Sequence, residues 1–311
     1  MKILKNLLMA IGVIFVISTL IFAVQSNQEL IHLKEEVAEK NVAQGYRISA
    51  IDIPDDLNFA GEKVPLEDPE IMERVDREFL VNTYWQSNAL LLMKRAHKYF
   101  PIIEPILAKN GIPDDFKYLA VAESGLDNVV SNAGAAGFWQ IMKATGKQYG
   151  LEINENVDER YHLEKSTEVA CKYLKTYKNK YGNWTLAAAT YNAGTGSIDK
   201  YLGIQQVEDY YDLLLGQETG RYVFRIMAIK EILNHPVKYG FDVEKEDMYS
   251  AVPTFKVEIK EPVLSFAAFA KQYEINYKIL KRHNPWLREA HLNNSTGKSY
   301  VIEIPNKGYY R

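Results

Sequence analysis

The sequence predicts a mainly α-helical protein, with a small α+β module behind the helical part and one apolar segment ahead of it. Three observations lead there. Between residues 68 and 245, apolar side chains recur three and four positions apart, the period of helices that bury one face. After residue 250 that period gives way to alternation, which belongs to strands. Residues 7–24 carry no charge.

The apolar segment comes first in the chain. It is 18 residues long, its only polar members are Ser18 and Thr19, and Lys2 and Lys5 stand before it. At about 1.5 Å per helical residue it nearly spans a hydrocarbon core of about 30 Å. Residues 1–24 therefore read as a signal anchor, a transmembrane segment that partners the chain with a membrane. The positive flank predicts a cytoplasmic N-terminus, with the rest of the chain on the outer side. A cleaved signal peptide is the rival reading, although Ala23-Val24-Gln25-Ser26 makes a poor cleavage site. Residues 25–67 read as a linker. A polar stretch with a thin apolar stripe (Leu30, Leu33, Val37) gives way to Ile53-Pro54-Asp55-Asp56 and Val64-Pro65, which break any period.

Residues 68–245 read as one helical domain. Ile71, Val75, Phe79 and Leu80 share a helical face, and Leu90 to Met93 continue the pattern. Pro101 opens a further helix through Ile102, Ile103, Ile106 and Leu107, which Asn110-Gly111 closes as helices commonly end. Pro113-Asp114-Asp115 opens the next one, which runs through Phe116, Tyr118, Leu119 and Val121 toward Glu123. Helices also fit residues 159–180, 184–192 and 218–233. Residues 250–311 then form a βααβ module. Phe255, Val257 and Ile259 alternate with Lys256, Glu258 and Lys260, helical stretches lie near 265–273 and 277–283, and a second strand spans 299–304. This order of elements predicts a unit separate from the helical domain.

Composition narrows the function. Hydrophobic residues make up 47% and charged residues 25%, values of a globular chain. A formal net charge of −3 gives no push toward nucleic acid, whose binders usually carry a basic patch, so no nucleic-acid partner is expected. Cys171 is the single cysteine, which excludes an internal disulfide, a lipid-modified cysteine near the apolar segment and a cysteine-built metal cluster. The six histidines are scattered, with no HExxH pattern. Neither a metal site nor a cofactor is expected.

Three segments of the helical domain set polar side chains among glycines and small residues, which opens a cleft where a bulky ligand can approach the backbone. They are Ala122-Glu123-Ser124-Gly125, Gly134-Ala135-Ala136-Gly137-Phe138-Trp139-Gln140-Ile141-Met142, and Ala188-Ala189-Thr190-Tyr191-Asn192-Ala193-Gly194. Each alone reads as a helix end or a turn. In this order, and followed by Glu218-Thr219 and Tyr222-Val223, they resemble the soluble-lytic-transglycosylase family of peptidoglycan-cleaving enzymes. Phe138-Trp139 stands where the family more often has Leu-Met, a form similar to its membrane-bound branch.

The resemblance implies a lysozyme-like helical catalytic domain acting on peptidoglycan glycan strands in the cell envelope, in the periplasm. It implies Glu123 as the catalytic acid/base, with Ser131, Gln140, Tyr191 and Asn192 binding substrate. In it Tyr191 hydrogen-bonds near the carboxyl and Ser131 holds an N-acetyl group. The expected reaction cleaves the β-1,4 bond between N-acetylmuramic acid and N-acetylglucosamine and forms a 1,6-anhydro ring. Asp127 is the nearest second acid in sequence, and a hydrolytic muramidase on the same fold is the alternative. The chemistry of these residues agrees. A lone general acid needs a raised pKa, which apolar neighbours such as Leu119, Val121, Phe138 and Trp139 can supply. The C-terminal module resembles a LysM repeat, a glycan-binding fold, in Leu280-Lys281-Arg282-His283-Asn284-Pro285-Trp286-Leu287 and Val301-Ile302-Glu303-Ile304-Pro305. It departs from it where Glu261-Pro262-Val263-Leu264 replaces the usual Gly-Asp-Thr-Leu turn.

Overall fold

The computed structural model describes Ser18, Thr19, residues 22–32, Lys34 and residues 48–310. The chain divides into two units, Met1–Ala50 and Ile51–Arg311. In the first, residues 22–32 are helical with exposed side chains. No described helix is long and apolar enough to cross a membrane. Most of the expected anchor, residues 1–17 with Leu20 and Ile21, lies outside the described residues.

The second unit is mainly helical, and it begins inside the stretch expected to be a linker. A two-residue turn, Ala60 and Gly61 at φ 53° and 81°, joins β1 (Asn58–Phe59) to β2 (Glu62–Lys63). Leu57, Phe59 and Val64 are buried in the main core. The Glu62 carboxylate accepts the backbone N–H of Trp184 at 2.6 Å and of Thr185 at 2.9 Å, capping a later helix. The linker reading is therefore corrected for residues 57–64, where apolar side chains too few to show a period nevertheless fill the core.

Eight helices follow before the second sheet. They are α1 (Pro69–Tyr84), α2 (Gln86–Lys109), α3 (Lys117–Ser124), α4 (Lys143–Gln148), α5 (Leu163–Tyr181), α6 (Trp184–Ala193), α7 (Thr195–Gln205) and α8 (Gln217–Asn234). Sequence reasoning started a new helix at Pro101, whereas α2 runs unbroken through Pro101 and Pro105. The two prolines lie one turn apart on the exposed side, so the carbonyls they leave without an N–H partner face solvent, while Ile103 and Leu107 stay buried. Helix α8 is the hub. Tyr222, Val223, Phe224, Ile226, Met227, Ala228 and Ile229 are all buried, and it packs against α1, α3 and α6.

The C-terminal module is built as its alternation predicts. Strands β3 (Thr254–Ile259) and β4 (Tyr300–Pro305) pair antiparallel, with Val257 opposite Ile302, and enclose α9 (Phe266–Gln272) and α10 (Tyr277–His283). Asn284 ties the end of α10 to β4, its side-chain amide donating to Glu303 O at 2.7 Å and its oxygen accepting from Glu303 N at 2.8 Å. The module does not stand apart from the helical body. Phe266, Leu280, Trp286, Leu287 and Ile302 share one core with Ala136, Val157 and Tyr161 of that body. Asp158 N donates to Trp286 O at 2.9 Å, and Arg288 N to Asn156 O at 2.8 Å.

Candidate active site

Helix α3 is short and almost wholly buried, and its sequence decides where it stops. Glu123 and Ser124 occupy its last turn, and Gly125 (φ 61°) then takes the left-handed conformation that ends helices, its N–H donating to Val121 O at 2.9 Å. The carboxyl of Glu123 is thereby left at a helix end instead of inside a packed face. The Tyr222 hydroxyl donates a hydrogen bond to it. The Arg225 guanidinium donates to Ala122 O, the residue next door. Glu218, Tyr222 and Arg225 are spaced i, i+4, i+7 on α8, so one face of that helix meets the carboxyl.

These neighbours set the protonation state of Glu123. Burial pushes its carboxyl from 4.5 up to about 7. The Tyr222 hydrogen bond and the Arg225 charge pull the other way, and the Glu218 charge adds to the rise. Near neutral pH the group is thus poised between acid and base, the condition for general acid/base work. Burial first, and the nearby Glu123 charge second, raise the phenols of Tyr191 and Tyr222 well above their usual range, so both remain hydrogen-bond donors.

The second segment, residues 134–142, is folded back as a braced loop. Gly137 adopts φ 82°, and a Cβ there would lie 2.0 Å from the Arg160 carbonyl oxygen, so only glycine fits. Arg160 staples the loop, its Nη1 donating to Gly134 O at 2.9 Å and to Ile141 O at 3.2 Å. Asp158 in turn fixes the guanidinium through Nε and Nη2. Ser124 Oγ donates to Phe138 O at 2.8 Å, joining this loop to the end of α3. Trp139 is fully buried and donates through Nε1 to Thr167 Oγ1 at 2.8 Å.

The expected substrate-binding residues fall into two places. Gln140, Tyr191 and Asn192 line one cavity of about 290 Å³ with Met142, Tyr173 and Gly194. Gln140 holds a left-handed φ of 44°, and its amide nitrogen donates to Val129 O at 3.0 Å and Gly137 O at 2.7 Å. The Tyr191 hydroxyl donates to Trp139 O at 2.6 Å, not to the carboxyl; Tyr222 occupies that role. Asn192 donates to Glu218 Oε1 at 3.4 Å and accepts from Thr219 Oγ1 at 2.8 Å. Ser131 lies apart in an exposed turn, where its Oγ accepts the Ala135 N–H at 3.0 Å.

The site therefore includes residues that sequence reasoning did not assign to it: Tyr222, Arg225, Glu218, Asp158 and Arg160. Glu218 and Tyr222 stand in the Glu218-Thr219 and Tyr222-Val223 motif quoted for the resemblance, which was their available signal, and helical spacing on α8 was the signal for Arg225. Glu218 also corrects the view of Glu123 as an isolated carboxyl, because its charge reaches Glu123. Asp127 is engaged elsewhere, paired with Arg95 at 2.8 Å. Among the described residues no group of three or more His, Cys, Asp and Glu is placed to hold a metal ion.

Residues 100–214 match the family described as the transglycosylase SLT domain, and residues 255–308 match the soluble lytic transglycosylase C-terminal LysM-like domain. The chain is 30% identical over 258 residues to membrane-bound lytic murein transglycosylase D of Escherichia coli (strain K12), covering 80% of this chain and 55% of that protein. The chain thus spans about half the length of the curated relatives it matches. Among solved structures, the 70 kDa soluble lytic transglycosylase of Escherichia coli aligns at 19% identity and a TM-score of 0.40, over 69% of this chain and 42% of that one. An inactive mutant of lytic transglycosylase Slt from Pseudomonas aeruginosa aligns at 18% identity and a TM-score of 0.38, over 49% and 26%.

Proposed function

Because the chain carries a transglycosylase SLT domain and a C-terminal LysM-like domain, and is homologous to membrane-bound lytic murein transglycosylase D, we propose that it cleaves peptidoglycan glycan strands as a lytic transglycosylase. The bond cut is the β-1,4 link between N-acetylmuramic acid and N-acetylglucosamine. The observation that carries this reading is Glu123, a carboxyl raised to about 7 at the end of a buried helix.

The chemistry runs through that one group twice. Protonated Glu123 gives its proton to the glycosidic oxygen, which leaves as the 4-hydroxyl of N-acetylglucosamine. The carbonyl oxygen of the muramic N-acetyl group supports C1 as the bond breaks. The 6-hydroxyl of the same sugar then bonds to C1 and yields its proton to the Glu123 carboxylate, which closes the 1,6-anhydro ring and restores the acid. A value near 7 suits both halves, since it makes neither the acid nor the base too weak. Tyr222 holds the carboxyl in place. Gln140, Tyr191 and Asn192 form the wall on which the sugars lie, and Ser131, whose oxygen already accepts a loop N–H, keeps its hydroxyl proton for an N-acetyl carbonyl.

In this reading residues 1–24 anchor the chain in the membrane and the Ile51–Arg311 unit works in the cell envelope, on the periplasmic side. Digestion of purified sacculi followed by mass spectrometry tests the reaction. Anhydro-muramic ends, one water lighter than reducing ends, are expected. Mostly reducing ends would replace the reading with a hydrolytic muramidase, and Glu218 would then be the first candidate for the water-activating base.

A further inference from the structure

The C-terminal module and the helical body share a core, and where they meet they leave a pocket of about 210 Å³. Its lining is unlike that of the cavity beside Gln140. Lys98 of α2 and Arg282 and His283 of α10 supply positive charge or the capacity for it, and Glu164 of α5 and Glu303 of β4 supply carboxylates. Each set is gathered in space. Lys98 and Arg282 both act on His283, and Glu164 acts on Glu303. Glu164 is paired with His162 at 3.1 Å, while among the described residues neither Lys98 nor Arg282 has a carboxylate partner.

A ligand that satisfies this lining carries a carboxylate for Lys98 and Arg282 and an amine for the acidic pair. That is the chemistry of a short peptide with charged side chains of both signs. The pocket shares a loop with the candidate active site, since Phe138 lines it, lies two residues before Gln140, and has its carbonyl bound by Ser124, the neighbour of Glu123. We propose that this seam binds the peptide portion of the peptidoglycan strand, so that the module serves as one wall of a substrate site. The proposal rests on the lytic-transglycosylase reading above.

The test compares glycan strands with their peptides intact against the same strands stripped by an amidase, using the full chain. The wild-type protein is expected to show a KM about tenfold lower on the peptide-bearing strands, the size of one charge-assisted contact. Arg282→Ala, a substitution at an exposed position, should abolish that ratio, and Arg282→Lys should restore most of it. Equal KM values for wild type on the two substrates, or a ratio that survives Arg282→Ala, overturns the seam. Should the chain cleave neither strand, the catalytic reading fails instead. Calorimetry with the peptide released by the amidase then decides the seam, where binding lost in Arg282→Ala upholds it and absence of binding to the wild type ends it.

Discussion

Replacing Glu123 by glutamine should stabilise the protein, and by an amount that grows with pH. The folded chain holds the Glu123 proton up to about 7, whereas the unfolded chain releases it near 4.5. Between those values the folded state binds more protons than the unfolded state, so this group makes stability fall as pH rises. Each pH unit of that window contributes about 1.4 kcal/mol, which gives a total of about 3 kcal/mol, fully developed above pH 7 and absent below pH 4.5. Glutamine is neutral throughout, has nearly the same shape, and still offers Tyr222 an oxygen to donate to. Glu123→Gln is therefore expected to match the wild type at pH 4.5. At pH 8 it should be more stable by about 3 kcal/mol, or about 6 °C in Tm for a body of this size. Thermal unfolding of both proteins from pH 4.5 to 8 measures it. A Tm difference that does not change with pH would refute the argument that burial of this carboxyl sets its protonation.

Three further outcomes follow from the same geometry. Tyr222→Phe removes a donor that holds the Glu123 carboxyl down, so the alkaline limb of the kcat–pH profile should move to higher pH; a limb that stays in place would demote Tyr222 to packing. Gly137→Ala puts a Cβ 2.0 Å from the Arg160 carbonyl oxygen at φ 82°, and should cost more than about 3 kcal/mol in denaturant unfolding. Removing residues 250–311 uncovers Val157, Ala136 and Tyr161 and strips Glu152 of Lys298 and Tyr300. The apolar exposure alone is worth about 3 kcal/mol, so the truncated protein should melt earlier and turn over short soluble glycans more slowly; unchanged turnover would show that the seam does not support the catalytic loop.

What the sequence disclosed, and what it hid, follows from the range of each interaction. Helix ends fixed by local chemistry were legible. Asn110-Gly111 closes α2, Asn183 caps α6 by accepting the Leu186 N–H at 2.8 Å, and β3 and β4 follow their alternation. Helix α2 was divided because an interior proline costs a hydrogen bond and crowds the preceding turn, a cost that is lower where the freed carbonyl faces water, and periodicity does not report that the prolines lie on that face. The hairpin at residues 57–64 was read as linker because its placement depends on Glu62 and Asp115 contacting partners more than 50 positions away. At the site, Glu123 and its need for an apolar setting could be read from one motif. Tyr222 could not be given its role, because the choice between Tyr191 and Tyr222 as donor depends on how α6 and α8 approach α3. Nothing local announces that Arg160 reaches back to Gly134, or that Gln140 holds a left-handed backbone.

The cost of the site explains why so much structure converges on a loop. A carboxyl raised to about 7 opposes folding whenever it ionises, and Gln140 at φ 44° adds backbone strain of about 1 kcal/mol. Neither would persist in a loop free to relax, because Glu123 could swing to water and Gln140 could return to a common conformation. Each route of relaxation is closed by a specific contact. Tyr222 holds the carboxyl, Gln140 is held by its own amide on Val129 and Gly137, and Arg160 grips the loop at both ends. Arg160 is itself fixed by Asp158, whose backbone N–H is bound by Trp286 of the C-terminal module. The chain of contacts thus runs from Trp286, in the segment between α10 and β4, to the loop beside Glu123. On physical grounds the module is a support for the loop beside Glu123 before it is anything else, and any ligand it holds is held by a wall already locked to that loop.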